Sequence, residues 1–213
     1  MIKEYLEGIV IPDEVTDVYD YFGIPHISPS QVRNALTRAK DSKESIEFVI
    51  SSGGGSVLAG NDIYTELRNY EGEVTLRIVY AASAASVIAM ARHSVAEPTA
   101  MIMIHNSSTW TEGDYHEMEK TAEMLRTVNE AMSNAYRIKT GLSTDELLDL
   151  MDKETWLTAQ RAKELGFVDE INYPVQKNLA ASMNMMLTEA EIKNARKAMA
   201  KAEAEKRLAN LRR

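Results

Sequence analysis

Short apolar runs alternate with longer amphipathic stretches between residues 46 and 105. Residues 46–50, 74–80 and 99–105 are mostly apolar and rich in strand-forming side chains, which predicts three strands. Residues 56–70 and 83–91 lie between these runs and predict two helices, the second built from small residues. Strands that are joined by helices favour a parallel sheet with crossover helices. The pattern therefore predicts an α/β fold.

Capping signals and one long periodic stretch predict further helices. Ser28 precedes Pro29, an order that is typical of an N-cap followed by the first helical residue. Residues 114–139 repeat apolar side chains at steps of three and four, which predicts a long amphipathic helix. Glu146 stands three residues after Ser143, as in a capping box, and predicts a short helix that follows the long one.

Composition changes this picture mainly at the C-terminal end. The 213 residues are 45% hydrophobic and 26% charged, which is typical of one globular domain with a peripheral extension. We expect a domain over residues 1–182 and a basic helical extension over residues 183–213. Residues 188–213 open with a capping-box spacing and carry eight Lys or Arg against four Glu. A basic tail on an acidic body predicts a contact of the tail with a partner or with the body.

Charge and residue counts argue against several classes of function. The net charge of −8 argues against nucleic-acid binding. The chain has no cysteine, and its four histidines lack metal-ligand spacing, so we expect neither a metal nor a cofactor. The longest apolar stretch, residues 78–91, is shorter than the roughly 20 residues that span a bilayer. With no signal-peptide pattern at the N-terminus, we expect a cytoplasmic protein without membrane contact.

Two residues with catalytic chemistry stand at the ends of predicted strands. Ser83 lies between the strand 74–80 and the small-residue helix, and the amide of Ala84 lies in the first turn of that helix, available to an oxyanion. His105 ends the strand 99–105. Because neighbouring parallel strands end at the same edge of a sheet, we expect Ser83 and His105 to meet there. Each residue alone also fits a structural role, in a tight helix or at a sheet edge.

Other candidates are less specific. The glycine run 53–55 predicts either a loop whose exposed amides bind an anion or a tight turn from strand to helix. No Lys-Ser or Lys-Thr pair follows it, so a nucleotide-binding P-loop is not indicated. Glu154 and Asp152 precede an apolar pair, and either acid is suited to orient a histidine or to remain solvated.

Four motifs in one order give the chain a recognisable pattern. They are ISSGGGSVLAG (residues 50–60), AASAASVIAMA (residues 81–91), MIMIHN (residues 101–106) and ETWLTAQRAKELGFVDEI (residues 154–171). Together they resemble the ClpP-like serine peptidases, and most of all the phage and prophage enzymes that are described as head maturation proteases. The resemblance extends from about residue 46 to residue 171.

The resemblance implies a Ser-His-acid triad. Ser83 corresponds to the nucleophile, His105 to the base, and Glu154 to the third member, which is usually Asp in the family. Asp152 is the alternative third member. Ser86 is a rival nucleophile because it too follows two alanines, but its spacing to the other motifs favours Ser83.

The resemblance also implies a fold and an assembly. It predicts a ClpP/crotonase-type fold, with the amides of Gly55 and Ala84 as the oxyanion hole and no cofactor. Residues 114–139 correspond to the protruding handle helix, which packs between two rings of subunits. We therefore expect a ring-forming homo-oligomer that cleaves polypeptides. Its further partners would be an AAA+ unfoldase or the capsid or scaffold proteins of a phage.

Two other functions remain open. A catalytically silent ring or scaffold protein is consistent with departures from the family pattern, namely Glu154 in place of Asp and Val79 and Arg92 in place of glycines. An acyl-CoA enzyme of the crotonase type would share the fold and the amide oxyanion hole. That function would leave the pairing of Ser83 with His105 unexplained.

Overall fold

The computed structural model describes residues 1–173 and, beyond them, only residues 193, 194 and 197. Residues Met1–Tyr173 form one compact unit. The basic extension that we predicted over residues 183–213 lies, apart from those three residues, outside the described part of the chain. Its helix and its boundary at residue 182 therefore stay predictions.

Seven strands and seven helices build the unit Met1–Tyr173. The strands are β1 Ile2–Val10, β2 His26–Ile27, β3 Ile46–Gly55, β4 Val74–Ala82, β5 His93–Ile104, β6 Thr155–Thr158 and β7 Glu170–Ile171. The helices are α1 Thr16–Phe22, α2 Pro29–Ser42, α3 Val57–Asn69, α4 Ala84–Ala89, α5 Tyr115–Thr140, α6 Thr144–Asp152 and α7 Ala159–Glu164, with a 3₁₀ turn at Asp13–Val15.

All seven strands belong to one mixed sheet. Its order is β2-β1-β3-β4-β5-β6, and β7 pairs with β5 outside this path. Every pairing is parallel except that of β5 with β6, which is antiparallel. The predicted α/β fold with a mostly parallel sheet and crossover helices is confirmed.

One apolar core joins the sheet to α2, α3 and α4. The strand β3 lies in the middle of the sheet and contributes Ile46, Phe48 and Ile50, each at most 1% exposed. The apolar stripe of α2 packs into the same cluster. Its buried members are Val32, Ala35, Leu36 and Ala39. Ser28 caps α2 through a hydrogen bond from the Gln31 amide, as the sequence predicted.

The glycine run differs from the sequence prediction. Residues 53–55 do not form a loop or a turn, because they extend β3 to Gly55. Gly54 pairs with Ile9 and Gly55 with Val10 at the end of β1. The strand β1 was not predicted. Its alternation is blurred because Glu4 is charged at an inward position, whereas Tyr5 and Ile9 are apolar at outward positions.

The long helix begins at Tyr115, capped by the Asp114 carboxylate, and ends at Thr140 before Gly141. Its buried residues lie near the C-terminal end: Met132, Ser133, Ala135 and Tyr136. Met118 and Met124, nearer to the N-terminus, are 43% and 47% exposed. Among the described residues, no helix is long and apolar enough to cross a membrane.

Candidate active site

Ser83 and His105 meet at the carboxyl edge of the sheet. Ser83 follows β4 directly and His105 follows β5 directly, and these two strands are parallel neighbours. The Ser83 amide donates to the carbonyl of Met103 at 3.0 Å, which fixes the ends of the two strands to each other. The Ser83 Oγ lies 2.8 Å from the His105 Nε2. This is hydrogen-bonding distance between a hydroxyl and a ring nitrogen that can accept its proton.

Ser83 occupies an unusual backbone conformation at the turn from β4 into α4. Its φ of 55° and ψ of −128° lie in a region that non-glycine residues rarely adopt. A backbone conformation of this kind costs about 1–3 kcal/mol and persists only where the surrounding contacts hold it. The sharp turn presents the side chain of a partly buried serine at the edge of the sheet.

The end of β3 lies against this turn. A Cβ added to Gly54 would lie 2.7 Å from the Ala82 carbonyl oxygen and 2.9 Å from the Ala84 amide nitrogen. A side chain at Gly54 would therefore displace the Ser83 turn, and the positive φ of 93° also favours glycine. The Gly54 amide already donates to the Ser52 hydroxyl at 3.1 Å. The neighbouring Gly55 and the first residue of α4, Ala84, bring the two predicted oxyanion donors to this edge.

Ser86, the rival nucleophile, is fully buried. Its hydroxyl bonds to the Ser83 carbonyl at 2.6 Å and to the Tyr136 hydroxyl at 2.8 Å. A hydroxyl that is 0% exposed and engaged with two partners is not available to a substrate. The geometry therefore favours Ser83 over Ser86.

Neither acidic candidate forms a hydrogen bond with the histidine in the described part of the chain. The Glu154 Oε1 accepts from the Trp156 indole nitrogen at 3.4 Å, and the Asp152 Oδ1 accepts from the Asn106 side-chain amide at 2.6 Å. Within the described residues, no carboxylate forms a hydrogen bond with His105. Ser83 and His105 are thus brought together, whereas Glu154 is not joined to them.

The sheet register nevertheless brings the backbone of Glu154 near His105. β5 and β6 are antiparallel, and Ile104 pairs with Thr155 in the last pair of their ladder. One further step would set His105 opposite Glu154, with both side chains on the same face. At that point Glu154 turns out of the strand with a φ of 47°. Asp152, by contrast, ends α6 two residues earlier.

Three residues near the site were not anticipated from the sequence. Trp156 holds the Glu154 carboxylate, Asn106 holds Asp152, and Tyr136 bonds to Ser86 beneath the nucleophile. Only Tyr136 had a usable signal, because it stands four residues after Met132 and so continues the apolar stripe of the long helix. The other two contacts depend on side-chain directions that no spacing encodes.

Comparison with protein families identifies the family of this chain. The family model described as Clp protease matches residues 29–174, which is more than half of the chain. The match includes all four sequence motifs and every residue of the candidate site. The chain therefore belongs to the Clp protease family, whose members are serine peptidases that act on polypeptides and generally form oligomeric rings.

Proposed function

We propose that this protein is a serine endopeptidase in which Ser83 attacks the scissile carbonyl and His105 takes its proton. The observation that carries the proposal is the 2.8 Å distance between the Ser83 Oγ and the His105 Nε2, at a strained turn on the carboxyl edge of the sheet. A weakly acidic hydroxyl becomes an effective nucleophile when a base lies within hydrogen-bonding distance.

In the proposed reaction, the Ser83 Oγ forms a bond to the carbonyl carbon while its proton passes to the His105 Nε2. The amides of Gly55 and Ala84 donate to the negative oxygen of the tetrahedral intermediate. The C–N bond then breaks as His105 returns the proton to the leaving amine, which leaves an acyl-enzyme on Ser83. Water then attacks this ester with His105 again as base. The bond between the acyl carbon and the Ser83 Oγ breaks, His105 returns the proton to the Ser83 Oγ, and the new C-terminal carboxyl product leaves.

For the third member we propose Glu154. Glu154 lies one step beyond the last β5–β6 pair, opposite His105. Its carboxylate would therefore move only a short distance to reach the His105 Nδ1. The bond to Trp156 at 3.4 Å is longer than the usual 2.7–3.2 Å and holds the carboxylate only weakly. Asp152 is the less suitable acid because the Asn106 amide binds it at 2.6 Å.

For the assembly we propose a ring-forming homo-oligomer that uses α5 as its handle. Tyr115, Met118 and Met124 on α5 are exposed large apolar side chains, as expected of a helix with a neighbouring subunit to cover it. We further propose that the protein acts in the cytoplasm and that its substrates are polypeptides. An AAA+ unfoldase would deliver them, or the substrate would be the capsid or scaffold protein of a phage.

A catalytically silent scaffold is the second candidate. It is favoured by one observation, that His105 has no carboxylate partner among the described residues. Such a protein would keep the fold and the ring but would not form an acyl-enzyme.

Covalent labelling tests the proposal against this alternative. A fluorophosphonate reacts with an activated serine and adds a fixed mass, which intact-protein mass spectrometry measures. We expect one adduct on the wild type, none on Ser83→Ala, and an unchanged adduct on the control Ser108→Ala, which removes an exposed serine three residues after His105. Labelling of Ser83→Ala, or the absence of an adduct on the assembled wild type, would contradict the proposal.

A further inference from the structure

A pair of buried hydroxyls connects the long helix to the turn that carries Ser83. Tyr136 on α5 and Ser86 on α4 are each 0% exposed, and their oxygens lie 2.8 Å apart. The Ser86 Oγ in turn lies 2.6 Å from the carbonyl oxygen of Ser83. Two hydroxyls thus form a continuous series of hydrogen bonds from the C-terminal part of α5 to the backbone of Ser83.

The proton directions in this series follow from its chemistry. A carbonyl oxygen only accepts, so the Ser86 hydroxyl donates its single proton to the Ser83 carbonyl. The Ser86 oxygen is then the acceptor, and Tyr136 is the donor. Burial raises the pKa of Tyr136, which keeps its hydroxyl protonated as that donor. Each hydrogen bond polarises the next one in such a series.

The hydrogen bonds from Tyr136 through Ser86 stabilise a strained part of the backbone. The Ser83 conformation, with φ of 55° and ψ of −128°, persists only if its surroundings hold it. The Ser83 amide is held by the Met103 carbonyl, and the Ser83 carbonyl is held by Ser86 alone among the described residues, through its amide at 2.9 Å and its hydroxyl. The side of Ser83 that faces the protein interior thus depends on Ser86, and Ser86 is oriented by Tyr136.

We propose that Tyr136 and Ser86 are positioning residues, which hold the Ser83 backbone so that its Oγ stays within reach of His105 and the Ala84 amide stays directed at the oxyanion. This inference rests on the proposed function. Because Tyr136 lies on α5, the proposed function then depends on a helix whose N-terminal half is exposed. Neither residue touches the reacting atoms, so their removal slows acyl-enzyme formation and leaves substrate binding unchanged.

Three variants separate positioning from stability. Tyr136→Phe removes the donor and keeps the ring, which packs 5.7 Å from the ring of Phe167. Ser86→Ala removes the hydroxyl bond to the Ser83 carbonyl, keeps the amide bond, and leaves the Tyr136 hydroxyl buried without its acceptor, which destabilises the fold. The double variant removes that stranded hydroxyl as well. The control is Ser133→Ala, which removes another fully buried hydroxyl of α5, one that bonds to the Glu130 carbonyl instead of the turn.

Two measurements are made on each full-length variant. The first is the rate of fluorophosphonate labelling per reactive site, which is normalised to the final adduct yield so that unfolded protein does not count. The second is hydrogen–deuterium exchange of the peptide over residues 81–91, which requires no activity. Tyr136 lies 50 residues from Ser86 in sequence, so this peptide is identical in Tyr136→Phe and the wild type.

We expect the labelling rate to fall about threefold in Tyr136→Phe and about tenfold in both Ser86→Ala and the double variant, as for the loss of one or two buried hydrogen bonds. Exchange in residues 81–91 rises in Tyr136→Phe and stays at the wild-type level in Ser133→Ala. The double variant is more stable than Ser86→Ala but equally slow, because the hydroxyl bond to the Ser83 carbonyl is missing in both.

Three results would overturn the inference. A labelling rate that recovers with stability in the double variant would mean that the pair only stabilises the fold. Wild-type labelling rates in both single variants would also refute it, while the proposed function would stand. If the wild type is not labelled at all, the proposed function fails, and exchange then decides the positioning role: exchange in Tyr136→Phe equal to that of the wild type would refute it.

Discussion

The proposed role of Glu154 gives a quantitative prediction, because its carboxylate has two alternative partners. In the present structure it accepts from the Trp156 indole nitrogen at 3.4 Å, and in the proposed active arrangement it accepts from His105. Replacing Glu154 by Gln keeps the size of the side chain and removes the charge that stabilises the imidazolium during proton transfer. We expect Glu154→Gln to slow labelling about 10²-fold, near the lower end for a positioned acid–base group because Glu154 is exposed.

Trp156→Phe should have the opposite effect. The indole is half exposed and its ring is stacked on that of Tyr80 at 6.5 Å, a contact that Phe retains. The long hydrogen bond contributes at most about 1 kcal/mol, so removing it frees the carboxylate for His105 and speeds labelling by at most about fivefold. The gain depends on Glu154 and therefore disappears in Trp156→Phe/Glu154→Gln.

The assay is the second-order rate constant of fluorophosphonate labelling, followed by intact mass at constant pH and subunit concentration. Asp152→Asn is the matched control, since it removes the other candidate carboxylate at the same site. If Glu154→Gln reacted at the wild-type rate and Asp152→Asn were slow, Asp152 would be the third member. If neither substitution mattered, Ser83 and His105 would work without an acid, and our use of the β5–β6 register would be wrong.

The remaining predictions concern stability and are measured by urea unfolding. Arg77→Met leaves the Glu47 carboxylate, whose side chain is 6% exposed, without its closest cation and should cost about 2 kcal/mol, most of which the further change Glu47→Leu recovers. Desolvation raises the pKa of Asp169, but hydrogen bonds from Lys139 and from the Ser94 amide outweigh it, so the pKa lies below its usual value. The stabilisation from this carboxylate is therefore present above about pH 4 and is lost as pH falls through the lowered pKa, so Asp169→Asn should differ from the wild type most at neutral pH and least once the pH is well below that lowered pKa. Lys43 follows α2 in a left-handed conformation. Lys43→Gly should therefore raise the free energy of unfolding by about 0.5–1 kcal/mol and leave the labelling rate unchanged.

Spacing and periodicity were sufficient for the central α/β elements because those elements bury apolar residues locally. The glycine run shows where local information ends. Its residues extend β3 only because β1 pairs with the end of the run, and the pattern of β1 is blurred by a charged inward Glu4 and by the apolar outward side chains of Tyr5 and Ile9. A strand whose stability comes from a partner about 45 residues away is not visible in its own sequence.

The candidate site, too, could be predicted from the sequence only in part. Strand ends place Ser83 beside His105, since the carboxyl edge of a parallel sheet is a property of topology. The bond between Ser86 and Tyr136 joins residues 50 positions apart, and the bond between Glu154 and Trp156 is a choice among side-chain rotamers. The apolar stripe of α5 marks Tyr136 as a buried residue but does not identify its partner, and the contact of Glu154 with Trp156 has no periodic signal, so both contacts could be found only from coordinates.

Backbone strain sets Ser83 apart from the other non-glycine residues with positive φ. Within the described residues, the non-glycine positions with positive φ are Lys43, Ser83 and Glu154. Lys43 ends a helix, where a left-handed residue closes the last turn and has an ordinary structural cause. Glu154 likewise follows the end of α6, where its amide donates to the Met151 carbonyl at 3.0 Å, so its φ of 47° has the same ordinary cause. Among these three residues, only Ser83 closes no helix, because it leaves β4 and enters α4 with a φ of 55° and a ψ of −128°. Glycine at this position would relieve the strain at the loss of the hydroxyl. A serine that occupies the strained turn with its Oγ 2.8 Å from the His105 Nε2 is expected of a nucleophile, and it is not expected of a silent scaffold.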